Sequence, residues 1–223
     1  PKDGYTIMVT SSSIALDPTT RPNLPYNART DLVPITQITD AAAVVMVSNA
    51  LPVTTLSEFI TYAKGRPGQL NFGTPGAGSS LPLLAEYFCL AAGIRATHIP
   101  YRGAGPALTA LAANEIQFVL DPILTSKPLA EGGRARAIAV TTAQRAQSWP
   151  DLPTVQEGGV AGFNAGFWLG AFVPVGTPDQ IIDSLNTNIR SAMESDGMRS
   201  WAGSLGAEVV TQSVPAARTF FDA

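Results

Sequence analysis

Apolar and polar positions alternate along this chain in two rhythms that take turns, short β-rich runs and longer stretches with helical spacing. Strand patterns fall at Tyr5 to Thr10, Leu32 to Ile38, Val44 to Val47, Leu70 to Phe72, Ile116 to Leu120 and Ala135 to Thr141. Helical patterns come between them. Thr55-Leu56-Ser57-Glu58 is a capping box, followed by apolar Phe59, Ile60 and Ala63 and closed by Gly65 and Pro67. Two strand-turn-helix units follow, Leu70 to Gly93 and Ala96 to Asn114. A short helix is expected over Lys127 to Glu131, and Ala143 to Gly162 is rich in loop residues. Thr177-Pro178-Asp179-Gln180 reads as a second capping box with proline at the first helical position, and Ile181, Ile182, Leu185, Ile189 and Met193 form its apolar stripe. Ser213 caps a last helix that starts at Pro215. Strands alternating with helices predict an α/β fold with mainly parallel sheets.

The turn in the first of those units is the strongest chemical signal. Gly73-Thr74-Pro75-Gly76-Ala77-Gly78-Ser79-Ser80 lies between an apolar strand and the helix pattern Leu81 to Ala92. Glycines allow close backbone approach, and the first amides of the following helix lack intrahelical partners and carry the positive end of its dipole. The spacing reproduces the Gly-x-x-x-x-Gly frame of a phosphate loop, but Ser79 stands where that motif needs lysine. A triphosphate would go unneutralised. What remains is a cradle of amides and hydroxyls, Thr74, Ser79 and Ser80, suited to a carboxylate; tight strand-to-helix packing is the other reading of the same glycines.

Composition narrows the classes. The 223 residues suffice for one large or two small domains, with two lobes the better fit. Charged residues are 14% of the chain and the net charge is -3, so nothing basic enough for nucleic acid is present. The longest apolar run, Ala41 to Val47, is far short of the ~20 residues that span a bilayer, and the chain reads as soluble. It starts at Pro1 and ends at Ala223 within a helical pattern, which reads as a trimmed piece of a longer protein. A single cysteine, Cys89, excludes an internal disulfide and a cysteine-based metal cluster.

Other candidates come with competing readings. His98, the one histidine, sits at a strand end and reads as structural rather than as a base, since no Gly-x-Ser-x-Gly nucleophile turn exists. Cys89 lies on an apolar helix without a cationic neighbour and reads as a packed thiol. Asp121 ends the strand Gln117-Phe118-Val119-Leu120, where open α/β sheets bind ligands, or else forms a turn before Pro122. Ser11, Ser12 and Ser13 end the first strand in the same sense, and Ser12 and Ser13 are carried as ligand candidates beside a plain serine-rich loop. Phe167 and Trp168 either wall a pocket or belong to the core.

Several segments, in order, resemble the Bug family, the TctC-like solute-binding receptors of tripartite tricarboxylate transporters. They are Asp3-Gly4-Tyr5-Thr6, Leu24-Pro25-Tyr26, Gly73-Thr74 to Ser79, His98-Ile99-Pro100-Tyr101-Arg102-Gly103, Pro150-Asp151-Leu152-Pro153-Thr154-Val155 and Pro174-Val175-Gly176-Thr177-Pro178. The resemblance implies a type II periplasmic-binding-protein fold of two Rossmann-like lobes with crossing strands. Residues 1–42 and 168–223 would form an incomplete first lobe and 43–167 the second. It implies a periplasmic protein that captures a small carboxylate (dicarboxylate, amino acid or aromatic acid) in an interlobe cleft and delivers it to a membrane permease, with no catalysis, cofactor or metal. Gly73, Thr74, Gly76, Ala77, Gly78, Ser79 and Ser80 would be half of a carboxylate pincer. The other half comes, in such receptors, from a loop upstream of this chain, so the chain alone is expected to bind its ligand poorly. Pro82 stands where many relatives have histidine, Asp17 where asparagine is common, and the last helix is short. Two rival classes remain: a ligand-responsive partner of a signalling receptor, and a nucleotide-using α/β enzyme.

Overall fold

A computed structural model describes residues 1–15, 24–76 and 80–222, and it divides into two compact units. The first comprises Pro1–Asp40 and Phe167–Ala223, the second Ala41–Gly166. The chain therefore leaves the first unit once and returns once.

The first unit holds a four-stranded sheet in the order β1-β8-β2-β9, with β1 Met8–Ser11, β2 Leu32–Ala41, β8 Phe167–Pro174 and β9 Ala207–Val209. β1 and β8 run antiparallel, Val9 opposite Ala171. The expected start of β1 at Tyr5 is corrected: the Tyr5 amide donates to Asp3 Oδ1 at 3.1 Å, which closes a turn and leaves Tyr5 94% exposed. Helices α1 (Ala28–Asp31), α6 (Asp179–Met193), α7 (Asp196–Ser204) and α8 (Val214–Asp222) complete this unit. Its core joins Ile35, Ala171 and Val173 of the sheet to Ile182 of α6 and Val214 of α8. Within the apolar stripe of α6, buried Asn186 is satisfied by donating to the Ile35 and Gln212 carbonyls, each at 2.8 Å. The second capping box does not form. The Thr177 hydroxyl donates backward to the Pro174 carbonyl at 2.8 Å, and α6 begins at Asp179 with no side-chain cap.

The second unit carries a five-stranded sheet in the order β5-β4-β6-β3-β7: β3 Ala43–Val47, β4 Leu70–Thr74, β5 Ala96–Pro100, β6 Phe118–Pro122 and β7 Arg136–Val140. β4 is parallel to both β5 and β6, whereas β3 is antiparallel to both β6 and β7. The expectation of mainly parallel sheets is thereby corrected. β3 is the first strand of its sheet and arrives from β2, which belongs to the other sheet, so no crossover helix from a neighbouring strand obliges it to run parallel. Helices α2 (Leu56–Lys64), α3 (Leu81–Ala92), α4 (Ala104–Ala112) and α5 (Ile123–Glu131) cover it. The Thr55 capping box of α2 is complete, with Thr55 Oγ1 accepting from the Glu58 amide and the Glu58 carboxylate accepting from the Thr55 amide, both at 3.2 Å. α5 starts four residues earlier than expected and keeps Pro128 inside it.

One face of this sheet is aromatic. Phe118 of β6 meets Phe59 of α2 at 5.1 Å between ring centroids, Phe72 of β4 at 5.4 Å and Phe88 of α3 at 6.4 Å, and all four rings are fully buried. The other face packs Met46, Leu111, Ile116 and Val119 around α4. Phe118→Ala should cost about 3 to 5 kcal/mol, because four elements converge on the cavity it would leave. Urea unfolding followed by circular dichroism checks this, and a loss below about 1 kcal/mol would mean that the cluster does not hold the unit together.

Candidate functional site

The glycine-rich turn lies at the carboxyl end of β4, where the sheet hands the chain to α3. Gly73 has no room for a side chain: a Cβ there would lie 2.5 Å from Ile116 Cδ1 and 3.2 Å from the Tyr101 ring. Gly76 has φ +83°, and a Cβ would sit 2.7 Å from the Tyr101 carbonyl oxygen. Both glycines are thus required by packing and backbone shape, whatever the loop binds. Between them Thr74 is 1% exposed; its carbonyl accepts from the Tyr101 amide at 2.9 Å, and its hydroxyl is 2.6 Å from His98 Nε2. Ser80 occupies the N-cap position of α3 with helical φ and ψ and makes no side-chain cap, and Pro82 within the first turn has no N–H. The remaining first-turn amides are donors without a side-chain acceptor from Ser80, which is the condition for receiving an anion. Ala77, Gly78 and Ser79, also expected at the site, lie outside the described residues.

Asp121 reaches the same edge of the sheet by register. β6 runs parallel to β4 with Gly73 opposite Val119, so Asp121 follows two residues along in the direction in which β4 runs into the turn. Its residue is 3% exposed, and Thr125 Oγ1 of α5 donates to Oδ2. Burial pushes its pKa up to about 6, opposed by hydrogen bonds from Thr125 and Ser126. No cation compensates this carboxyl among the causes of its shift.

Ser12 and Ser13 belong to the first unit, apart in the chain from the loop and Asp121, which belong to the second. The Ser11 and Ser13 hydroxyls are 2.9 Å apart, and the Ser12 amide donates to the Trp168 carbonyl at 2.9 Å. Trp168 lines a cavity of about 450 Å³ with Leu32, Phe172, Phe220, Phe221 and Arg29. Of the two sequence readings of Trp168, the pocket wall is the one realised, and α8 supplies the facing rings: Phe221 stands 4.8 Å from the Trp168 ring at 69°. Phe167 is half-buried in β8.

His98 is half-buried in β5 and stacks on Phe72 at 5.0 Å and 16°. The sequence singled out Thr74 and His98 separately and missed their contact, since 24 residues separate them and only the parallel β4–β5 register joins them. Cys89 is buried on α3; burial, and secondarily the Glu86 charge, push its thiol up to about 12. That is the opposite of an activated thiolate. Among the described residues no group of three or more His, Cys, Asp or Glu gathers as metal ligands would, and no helix is long and apolar enough to cross a membrane.

Residues 1–221 match the family described as "Tripartite tricarboxylate transporter family receptor", TctC. The chain is 31% identical over 220 residues to protein BugT of Bordetella pertussis, covering 98% of this chain and 68% of that protein. Among solved structures it is similar to R. palustris Rpa4515 with adipate (33% identity, TM-score 0.81, all of this chain and 75% of that one). It is also similar to MatC (Rpa3494) from Rhodopseudomonas palustris with bound malate (27% identity, TM-score 0.77, all of this chain and 77% of that one). The chain spans 58 to 68% of the length of two of the curated relatives it matches. These neighbours give it the type II periplasmic-binding-protein fold.

Two outcomes test the electrostatics. Asp121 has a folded pKa above its unfolded value of 3.8, so its contribution favours the native state below about pH 4 and is lost as pH rises through about 6. Asp121→Asn should therefore raise stability at pH 7.5 by about 1 to 3 kcal/mol, and the gain should shrink towards pH 4.5. Paired urea titrations at the two pH values read this directly; a gain equal at both would mean the carboxyl is not desolvated. Cys89 should resist a thiol reagent at pH 8 in the native protein and react fully in denaturant, and rapid native labelling would contradict its burial.

Proposed function

Because the chain belongs to the TctC family of tripartite tricarboxylate transporter receptors, we propose that it is a solute-binding receptor for a small organic carboxylate, acting in the periplasm. The two units serve as its lobes, and the captured anion is delivered to a membrane permease. The observation that carries this reading is the turn after β4. An anion there meets backbone donors at the start of α3, where Ser80 in the N-cap position supplies no side-chain cap. The absent lysine limits the charge that this turn can compensate, which favours a carboxylate over a nucleotide phosphate. The bound adipate and malate of the two Rhodopseudomonas neighbours agree with that class.

The state of His98 and Cys89 supports binding rather than catalysis. His98 is engaged with Thr74, Cys89 is buried and has its pKa raised, and neither is disposed as an activated nucleophile or as the base beside one. Asp121 and the loop are the residues of the second unit expected to read the ligand, and Ser12 and Ser13 those of the first.

Ser79→Ala in the full-length protein should weaken carboxylate binding by about tenfold or more, since a hydrogen bond to a charged group is worth about 1.5 to 3 kcal/mol. Isothermal titration with adipate, malate and benzoate measures it. Unchanged affinity would remove Ser79 from the site, and ATP binding in place of all three acids would overturn the carboxylate reading.

A further inference from the structure

Three contacts hold the last residues of β4 before the chain turns away from the sheet. The Thr74 carbonyl takes the Tyr101 amide at 2.9 Å, the Thr74 hydroxyl meets His98 Nε2 at 2.6 Å, and the His98 ring lies on Phe72 at 5.0 Å. The backbone contact is available to any sequence. The hydroxyl–imidazole contact is not, and it is made at the residue directly before Pro75 and Gly76, where a change of direction passes straight into the turn. A buried threonine hydroxyl needs a partner, and without one it turns to a nearby backbone group and competes with the local chain path. His98 removes that alternative. Its own ring is fixed from the other side by stacking on Phe72, whose register partner in β5 is His98 itself. Phe72 in turn is anchored on Phe118, so the imidazole is a side-chain link between the aromatic core and the end of β4.

We propose that His98 is a positioning residue for the end of β4, acting through the Thr74 hydroxyl to fix where and in what direction the chain leaves the sheet towards a bound carboxylate. This rests on the carboxylate reading of the preceding subsection. His98 need not touch the anion for this role; it contributes by lowering the number of conformations the Thr74 side chain and the end of β4 must give up on binding.

The full-length protein is titrated with adipate, malate and benzoate, and the wild-type result is read first. Binding to none of them overturns the carboxylate reading and this inference with it. With binding established, His98→Phe, which keeps a ring to stack on Phe72, and Thr74→Val should each weaken affinity by about tenfold. Since both remove one contact, the double variant should lose no more than either single one. His98→Gln, whose amide can still reach the Thr74 hydroxyl, should recover affinity to within about threefold of wild type. Imidazole 15N signals, assigned to His98 by their disappearance in His98→Gln, report this contact directly. Saturation with the bound acid should shift the Nε2 signal in wild type and leave it unmoved in Thr74→Val. Wild-type affinity in His98→Phe, multiplicative losses in the double variant, or an Nε2 signal indifferent to ligand would each overturn the assignment, including where His98→Phe proves too unstable to measure.

Discussion

The convergence of Phe59, Phe72 and Phe88 on Phe118 is the constraint from which the second unit follows. Rings buried at these separations leave little freedom to slide, because a one-residue slip of β4 against β6 would turn Phe72 to the opposite face and bring Asn71 in its place. Register is therefore set by apolar packing, and chemistry inherits it. With Phe72 opposite Phe118 and Gly73 opposite Val119, both strands end on one edge of the sheet, the turn 73–80 on one and Asp121 on the other. The same anchoring fixes β5, where His98 stands opposite Phe72 and so within reach of Thr74.

Much of this was legible in the residues. Thr55 and Glu58 announce α2 because a capping box is local: all its partners lie within four positions. The limits of α3 were equally plain from the glycine-rich turn before Leu81 and from Gly93 after Ala92. Thr177 offered the same pattern and failed, because the helix begins at Asp179 with Pro178 in the N-cap position, and the Thr177 hydroxyl is aimed back at the Pro174 carbonyl rather than at the helix amides. Strand direction was not legible. Alternation says which residues are buried, not which way a neighbour runs, and β3 carries an apolar pattern compatible with either direction. α7 and the three-residue β9 gave too little periodicity to be noticed. At the site, glycines and hydroxyls could be read one by one, whereas the Thr74–His98 contact and the cavity beside Trp168 needed tertiary structure to exist at all.

One segment that carries the family resemblance, Pro150 to Val155, turns out to have an architectural duty. In Pro150 to Val155, the Pro153 carbonyl accepts from Val140 and the Val155 amide donates to Val140, each at 2.8 Å, so this proline-rich stretch extends the edge of β7. Thr154 and Glu157 then exchange side-chain and backbone hydrogen bonds at 2.7 and 3.0 Å, and Arg145 pairs with Glu157 at 3.0 Å. The Arg145–Glu157 pair is largely exposed and contributes little alone. Together with the reciprocal cap it orders a loop too rich in proline for regular structure.

Buried polar groups sort by how well they are satisfied. Asn186 donates to two carbonyls, and Thr141 accepts the Ala43 amide at 2.9 Å; both cost little once bonded, and both tie elements distant in sequence. Asp121 differs. Its hydrogen bonds come from neutral hydroxyls, and desolvation outweighs them, so an ionised Asp121 is a standing cost to the fold. A structural role is better filled by asparagine, which would keep the Thr125 contact without the charge.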